Sequence, residues 1–398
     1  MKTTATFRFP LEIRFGPGAR ADLADFSEMF RVARPLLVTD LQMPRTRAFE
    51  LVLTEAGRIW SRSHVVFSGV QPNPTDEDVE AAWKMYLAEG CDAIVGVGGG
   101  SALDVARAAR IRQAFPGIPL LDVPLDHLPD RLPPYCAIPT TAGTGSEVGR
   151  SSVIIIRSMS RKVVLGARQL VADLAILDPE LTLELPPHLT AATGIDALTH
   201  AIEAFVCPIF HPMCDAIALE AVRSVHRYLE RAYRDGSDIE ARGGMLLAAS
   251  MGAIAFQKDL GAAHSLSHPL SSEFGIHHGL ANAIVHPAVV RFNGEANGAQ
   301  YSRIAEALGL DRTSDPTSAV AAFLEELNEK IGITQRLCDL GVPRESLVAL
   351  AKLAMADGCH KTNPRACTEA DMLRLYQAAH GDCPISGAQE GASSDGSK

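Results

Sequence analysis

A chain of 398 residues that is 47% hydrophobic and 21% charged suits two globular domains and is too balanced for a disordered or fibrous protein. Its formal net charge of -10 argues against a nucleic acid or an acidic membrane surface as the main partner. Eight cysteines at 91, 136, 207, 214, 338, 359, 367 and 383 form no CxxC pair, which excludes a zinc ribbon or a small disulfide scaffold and fits a reducing cytoplasm.

The opening "MKTTATFRFPLEIRFGPGAR" lacks the apolar core of a signal peptide, and no clean run of about eighteen apolar residues marks a membrane span. "PLLVTD" (35–40), "HVVFSG" (64–69) and "DAIVGVGGG" (92–100) read as buried strands, each followed by a helix-like stretch. That alternation predicts βαβ units and a Rossmann-like parallel sheet. "SSVIII" (151–156) and "DLAILDP" (173–179) add strands. After "LPPHLT" (185–190) strand-like runs vanish and Ala/Leu-rich segments of helical period take over. We therefore expect an α/β nucleotide-binding domain over 1–186, an all-helical metal and substrate domain over 187–383, and a disordered Gly/Ser-rich tail over 384–398.

In "DAIVGVGGGSALDVARAAR" a strand runs through Gly98, Gly99, Gly100 and Ser101 into a helix. Glycines allow close approach of a phosphate, and the helix N-terminus offers free N–H groups and partial positive charge. A plain turn needs fewer glycines. "IPTTAGTGSEVG" (138–149) adds the hydroxyls of Thr140, Thr141, Thr144 and Ser146. Asp40, at the end of its strand, could accept from both ribose hydroxyls of NAD and repel a 2′-phosphate, or it could be a turn aspartate. The usual dinucleotide fingerprint places such an acid about twenty residues after the glycines. Here it precedes them, so an ordinary Rossmann reading fails on order.

Five histidines crowd into "GAAHSLSHPLSSEFGIHHGLANAIVHP" (261–287), of 13 in the chain. His264 and His268 are four apart, as are Asp196 and His200 in "TGIDALTHAIEAF", so each pair shares a helix face. One such pair is weak, since it can be a side-chain hydrogen bond. Several on convergent helices would offer imidazoles and a carboxylate to a divalent metal. Spacing alone does not choose between His277 and His278, and His286 reads as a core residue.

"FSGVQPNPT", "GGGSALDVAR", "IPTTAGTGSEV", "LDPELTLELPPHLTAATGIDALTHAIEAF", the histidine window and "TNPRACTEADM" stand in one order along nearly the whole chain. In this the sequence resembles the iron-dependent (group III) alcohol dehydrogenases, the family that includes lactaldehyde reductase and propanediol dehydrogenase. The resemblance implies metal ligands at Asp196, His200, His264 and His278, with His277 an extra. It also implies a proton-relay or supporting role for His268. Around NAD it implies Asp40, Asn73, Gly98, Gly99, Gly100, Ser101, Thr140, Thr141, Thr144 and Lys162. The expected cofactors are NAD and Fe2+, with Zn2+ also compatible with the ligand set. The expected reaction is metal-assisted hydride transfer between NAD(H) and a small alcohol or aldehyde, by a cytoplasmic homo-oligomer.

A carbon–oxygen lyase of the dehydroquinate synthase type would share the architecture, NAD and a metal, but "DALTHAIEA" and "HHG" speak against its ligand set. A metal hydrolase with a structural glycine loop, or a non-enzymatic metal binder, leaves the nucleotide cradle without a use. Gln257, Lys258, His360 and Lys361 depart from the family's commoner patterns. Lys258 reads as solvent-exposed; His360 and Lys361 raise the prospect of an anionic substrate such as an ω-semialdehyde.

Overall fold

The computed structural model describes residues 6, 11–159, 161–310 and 314–381; the expected tail at 384–398 lies outside the described residues. Six strands form a parallel sheet in the order β1 (Glu12–Phe15), β8 (Leu174–Leu177), β5 (Tyr135–Pro139), β4 (Ala93–Gly98), β2 (Pro35–Asp40) and β3 (Val65–Val70). Helices α1 (Leu23–Phe30), α2 (Arg47–Trp60), α3 (Asp76–Ala88) and α4 (Gly100–Ala114) connect them. β2, β4, β5 and β8 are buried along nearly their full length, as expected of continuous apolar runs with both faces covered. From β2 the chain winds outward to β3, and from β4 it winds the other way to β5. The order thus reverses between β2 and β4, and ligands of open α/β sheets bind in the crevice at such a point. The carboxyl ends that meet there carry Asp40 and Gly98.

Three strand assignments differ from the sequence reading. "SSVIII" forms β6 (Ser151–Ile156), but it pairs antiparallel with β7 (Arg161–Gly166) in a separate hairpin rather than joining the main sheet. β7 went unread because "RKVVLG" opens on two cations and has only one buried residue. β1, four residues at the sheet edge with exposed ends, has no apolar run to announce it.

From Pro187 onward the described regular structure is helical: α5 (Pro187–Val206), α6 (Pro212–Arg234), α7 (Ile239–Ala255), α8 (Ala262–Phe274), α9 (His278–Ala307), α10 (Pro316–Lys330), α11 (Leu347–Ala356) and α12 (Glu369–His380). α5 is central, with sixteen of its twenty residues buried. Ile239–Lys258 is long and apolar enough to cross a membrane by length and composition, yet 67% of that window is buried inside the protein. It packs against both α5 and α6.

Candidate metal centre and nucleotide cradle

Asp196 and His200 lie one turn apart on α5, and His264 comes from the first turn of α8. All three are at least 95% buried. His278 opens α9. The Nε2 atoms of His278, His264 and His200 stand 3.4, 3.8 and 3.9 Å from Asp196 Oδ1. All three separations lie at or beyond the long end of the hydrogen-bond range, and those of His264 and His200 exceed it. They are close to the spacing of roughly 3–3.6 Å between neighbouring ligand atoms when metal bonds are about 2.0–2.2 Å. Gly279 makes the approach of α9 possible: a Cβ there would lie 2.0 Å from the Ala192 carbonyl oxygen on α5. The residue before that glycine is delivered to Asp196, while His277 stays exposed at the helix start. His286 is buried, with Nδ1 3.1 Å from the Thr199 hydroxyl.

Partners on the far side of the His264 and His278 rings fix their tautomers. Glu203, one turn beyond His200, is 2% exposed and accepts from His264 Nδ1 at 2.6 Å. Its carboxylate also accepts the N–H groups of Gly261 (3.0 Å) and Ala263 (2.6 Å), capping α8 where the helix dipole favours an anion. His264 Nε2 is thereby left with a lone pair toward Asp196. Ser267 spends its proton on the His264 carbonyl, so it accepts from His278 Nδ1, at 3.5 Å, and frees that Nε2 as well. Asn282 Nδ2 lies 2.8 Å from Asp196 Oδ1 and 3.4 and 3.3 Å from His264 and His278 Nε2. Two amide hydrogens cannot satisfy three acceptors. The cluster therefore suits a divalent cation, and one carboxylate with three imidazoles is a donor set for Fe2+ or Zn2+.

Electrostatics agree. Burial pushes His200 down to about 4, outweighing the pull of Asp196, and drives His278 well below its usual range. Burial would raise Asp196, but the three imidazoles and Asn282 hold it at about 2. Burial disfavours a charge on His264, yet Glu203 raises its pKa overall.

His268, on the cleft side of α8, stacks its ring on His278 with centroids 5.2 Å apart and 17° between planes. Its Nδ1 donates to Asp357 at 2.9 Å. Burial would raise the Asp357 carboxyl, but this bond, the nearby His268 ring, Cys359 N–H and Ser265 hold it well below the carboxylate range.

The glycine turn sits at the sheet crevice. Gly98 has φ +144°, and a Cβ there would lie 2.9 Å from Ala102 and 3.4 Å from Asp40 Oδ2. Asp40 Oδ1 accepts the N–H groups of Gln42 and Met43 in a turn, while Oδ2 faces the glycine loop. Thr141 and Thr144 lie against Gly99 and Gly100, and the Ser101 hydroxyl donates to Pro72 O, which brings exposed Asn73 beside the α4 N-terminus. Thr140 is buried and reaches Met43 Sδ. Half-buried Lys162 pairs across the hairpin with Ile155, whose N–H bonds Pro74 O.

Arg107, fully buried on α4, clamps the second loop by donating to Asp104, the Ser146 hydroxyl and carbonyl, and the Ser151 carbonyl. That loop then spans to the helices: Gly143 lies against Thr193 on α5, and Glu147 accepts from Ser250 on α7 at 2.6 Å. The second loop therefore touches both the glycine turn, through Thr141 and Thr144, and α5, the helix that carries Asp196 and His200. Lys258 corrects the sequence reading: it is 2% exposed, and its Nζ donates to Asp215 at 2.5 Å and to Phe205 O. Lys361 is exposed and His360 half-buried.

A glycine turn at the sheet crevice together with a one-carboxylate, three-imidazole cluster suits an enzyme that uses a nucleotide and a metal. The chain belongs to the iron-containing alcohol dehydrogenase family: residues 10–179 match "Iron-containing alcohol dehydrogenase" and residues 190–380 match "Fe-containing alcohol dehydrogenase family, C-terminal". It is accordingly an enzyme acting on alcohols and aldehydes. It is 38% identical to 4-hydroxybutyrate dehydrogenase of Cupriavidus necator, covering 90% of this chain and 96% of that protein. Its fold matches a crystal structure of 1,3-propanediol oxidoreductase with a TM-score of 0.90 at 34% identity, covering 94% of this chain and all of the other. It also matches sulfoacetaldehyde reductase from Bifidobacterium kashiwanohense in complex with NAD+, with a TM-score of 0.86 at 29% identity, covering 95% and 99% of the two chains.

Proposed function

We propose that this enzyme transfers hydride reversibly between NAD(H) and a small primary alcohol or aldehyde, with Fe2+ held by Asp196, His200, His264 and His278. One observation carries the reading: three imidazole Nε2 atoms converge on Asp196 Oδ1, on the helix that the second loop joins to the glycine turn. A divalent ion held by these four residues would supply Lewis acidity toward the substrate oxygen. The chain's own groups do the rest. The glycine turn and α4 N-terminus bind the pyrophosphate, the Asp40 carboxylate accepts from the adenosine ribose, and His268 handles the hydroxyl proton. Preference for NAD over NADP is supported by Asp40 Oδ2 facing Gly98, and by the NAD+ bound to the sulfoacetaldehyde reductase relative.

Assembly into a homo-oligomer and a cytoplasmic setting belong to the same reading. The first is supported by exposed Ile209, Phe210 and Met213 at the start of α6 and just before it, the second by the free thiols of Cys91, Cys136, Cys207 and Cys214. The division into an α/β unit over 1–186 and a helical unit over 187–383 is supported by β8 ending at Leu177 and α5 starting at Pro187.

A second reading narrows the substrate to an ω-hydroxy acid and its semialdehyde. It is favoured by the 4-hydroxybutyrate dehydrogenase relative and by exposed Lys361, four residues past Asp357 on the turn beside α8. The experiment is a panel of alcohols and aldehydes with NAD(H) and NADP(H) on Fe2+- and Zn2+-loaded enzyme. It includes butanal against succinic semialdehyde in wild type, Lys361→Ala and His360→Ala. Oxidation of primary alcohols with NAD supports the main reading, and none with any alcohol refutes it. Preference for the semialdehyde that Lys361→Ala selectively removes supports the second; preference for butanal refutes it.

A further inference from the structure

We infer that Asp357 is a positioning residue for the reaction, setting which ring nitrogen of His268 faces the cleft. The inference rests on the reading that His268 handles the substrate proton. Asp357 follows α11, and its Oδ2 lies 2.9 Å from His268 Nδ1. Its Oδ1 accepts the Cys359 N–H and the Ser265 hydroxyl, both at 2.8 Å. Ser265 Oγ accepts the His360 N–H at 2.8 Å and gives its own proton to the carboxylate. Both partners of Oδ1 are therefore donors, and the carboxylate accepts throughout. His268 Nδ1 must donate, and Nε2 is left with a lone pair. Stacking on His278 holds the ring beside the metal cluster while about a third of the side chain stays open to the cleft.

In alcohol oxidation the carbinol hydride goes to nicotinamide and the hydroxyl proton goes to His268 Nε2. The resulting imidazolium keeps its Nδ1–H on Asp357 and later yields the Nε2 proton to water. Reduction runs the same path backward. His268, Asp357 and Cys359 also have the spacing of a metal site. Asp357 is, however, fully engaged by three donors, and burial pushes the Cys359 thiol up, so hydrogen bonding is the use the geometry favours.

The test compares Asp357→Asn, Asp357→Glu and His268→Ala as metal-loaded full-length enzymes, measured for kcat, KM and metal content. Imidazole 15N shifts of histidine-labelled, Zn2+-loaded protein report the tautomer, with the His268 signals assigned by their loss in His268→Ala. In Asp357→Asn the two donors hold the amide oxygen at the Oδ1 position, so the NH2 faces His268 Nδ1 and moves the ring proton to Nε2. We expect kcat for oxidation to fall roughly 100- to 10,000-fold. KM for NAD and metal content should stay within about twofold, the tautomer should switch, and Asp357→Glu should recover part of the rate. His268→Ala with wild-type kcat would sink the proton-handling reading itself. An inactive His268→Ala beside an Asp357→Asn of wild-type kcat or unchanged tautomer would overturn the role of Asp357 alone. Loss of metal from Asp357→Asn would show a structural role and also overturn it.

Discussion

Replacing Glu203 by Gln keeps shape and burial while removing one acceptor. The carboxylate serves three donors: His264 Nδ1 and Gly261 N–H on Oε2, and Ala263 N–H on Oε1. With the amide NH2 toward Gly261 and His264, one N–H is stranded and the ring must turn its proton onto the metal-facing nitrogen. With the NH2 toward Ala263, only that N–H is stranded, so this orientation wins. It costs about 1–3 kcal/mol of apoprotein stability. His264 keeps its tautomer but now donates to a neutral oxygen. The difference between a charged and a neutral hydrogen bond is about 1–1.5 kcal/mol, or roughly tenfold in metal affinity. That is the lower end of the 10- to 100-fold typical of residues behind a metal ligand. Urea unfolding of the apoprotein reads the first effect, and competition with a chromophoric chelator for Zn2+ reads the second. A Glu203→Gln enzyme binding Zn2+ within twofold of wild type would refute this role for Glu203.

Asp40→Gly should admit NADP and weaken NAD, moving the ratio of kcat/KM values by tenfold or more; equal use of both cofactors by wild type would remove the assignment. Arg107→Met removes the cation beside the buried Asp104 carboxylate, which keeps only the Ser146 hydroxyl and Val153 N–H, and takes a donor from the Ser146 and Ser151 carbonyls. It should cost about 3–5 kcal/mol in urea unfolding and raise KM for NAD with metal content retained. His286 is pushed down to about 4 by burial, below the 6.5 of an unfolded histidine. As pH falls from 6.5 toward 4 the unfolded chain takes up a proton that the folded protein refuses, so stability falls, by about 3 kcal/mol from this residue. His286→Leu should show correspondingly less loss between pH 7 and pH 4.5, since Thr199 keeps the Ile195 carbonyl as acceptor. An unchanged acid profile would contradict that assignment.

The features legible in the sequence were those encoded locally. Strand, triple glycine and helix are contiguous, and Asp196 with His200, like His264 with His268, repeats at one helical turn. The choice of His278 over His277 came from family resemblance, and its physical cause is a glycine fitted against the Ala192 carbonyl. The supporting groups were hidden by distance. Asp357 is 89 residues from His268, and Glu203 is 61 from His264. Glu203 does share a face with Asp196 and His200, so a carboxylate on the buried face of that helix was the available signal. Lys258 was misread because its partner, Asp215, is 43 residues away. β6 looked like a sheet strand because local pattern does not reveal whether a run pairs with the main sheet or folds back on the next segment.

The most direct test of the account is metal stoichiometry after anaerobic reconstitution with Fe2+, measured by elemental analysis on folded, purified protein. Wild type and His277→Ala should hold about one ion per chain, and Asp196→Ala, His200→Ala, His264→Ala and His278→Ala should hold little or none. Full occupancy in His278→Ala with loss in His277→Ala, or occupancy unchanged in all four, would contradict the proposed metal centre.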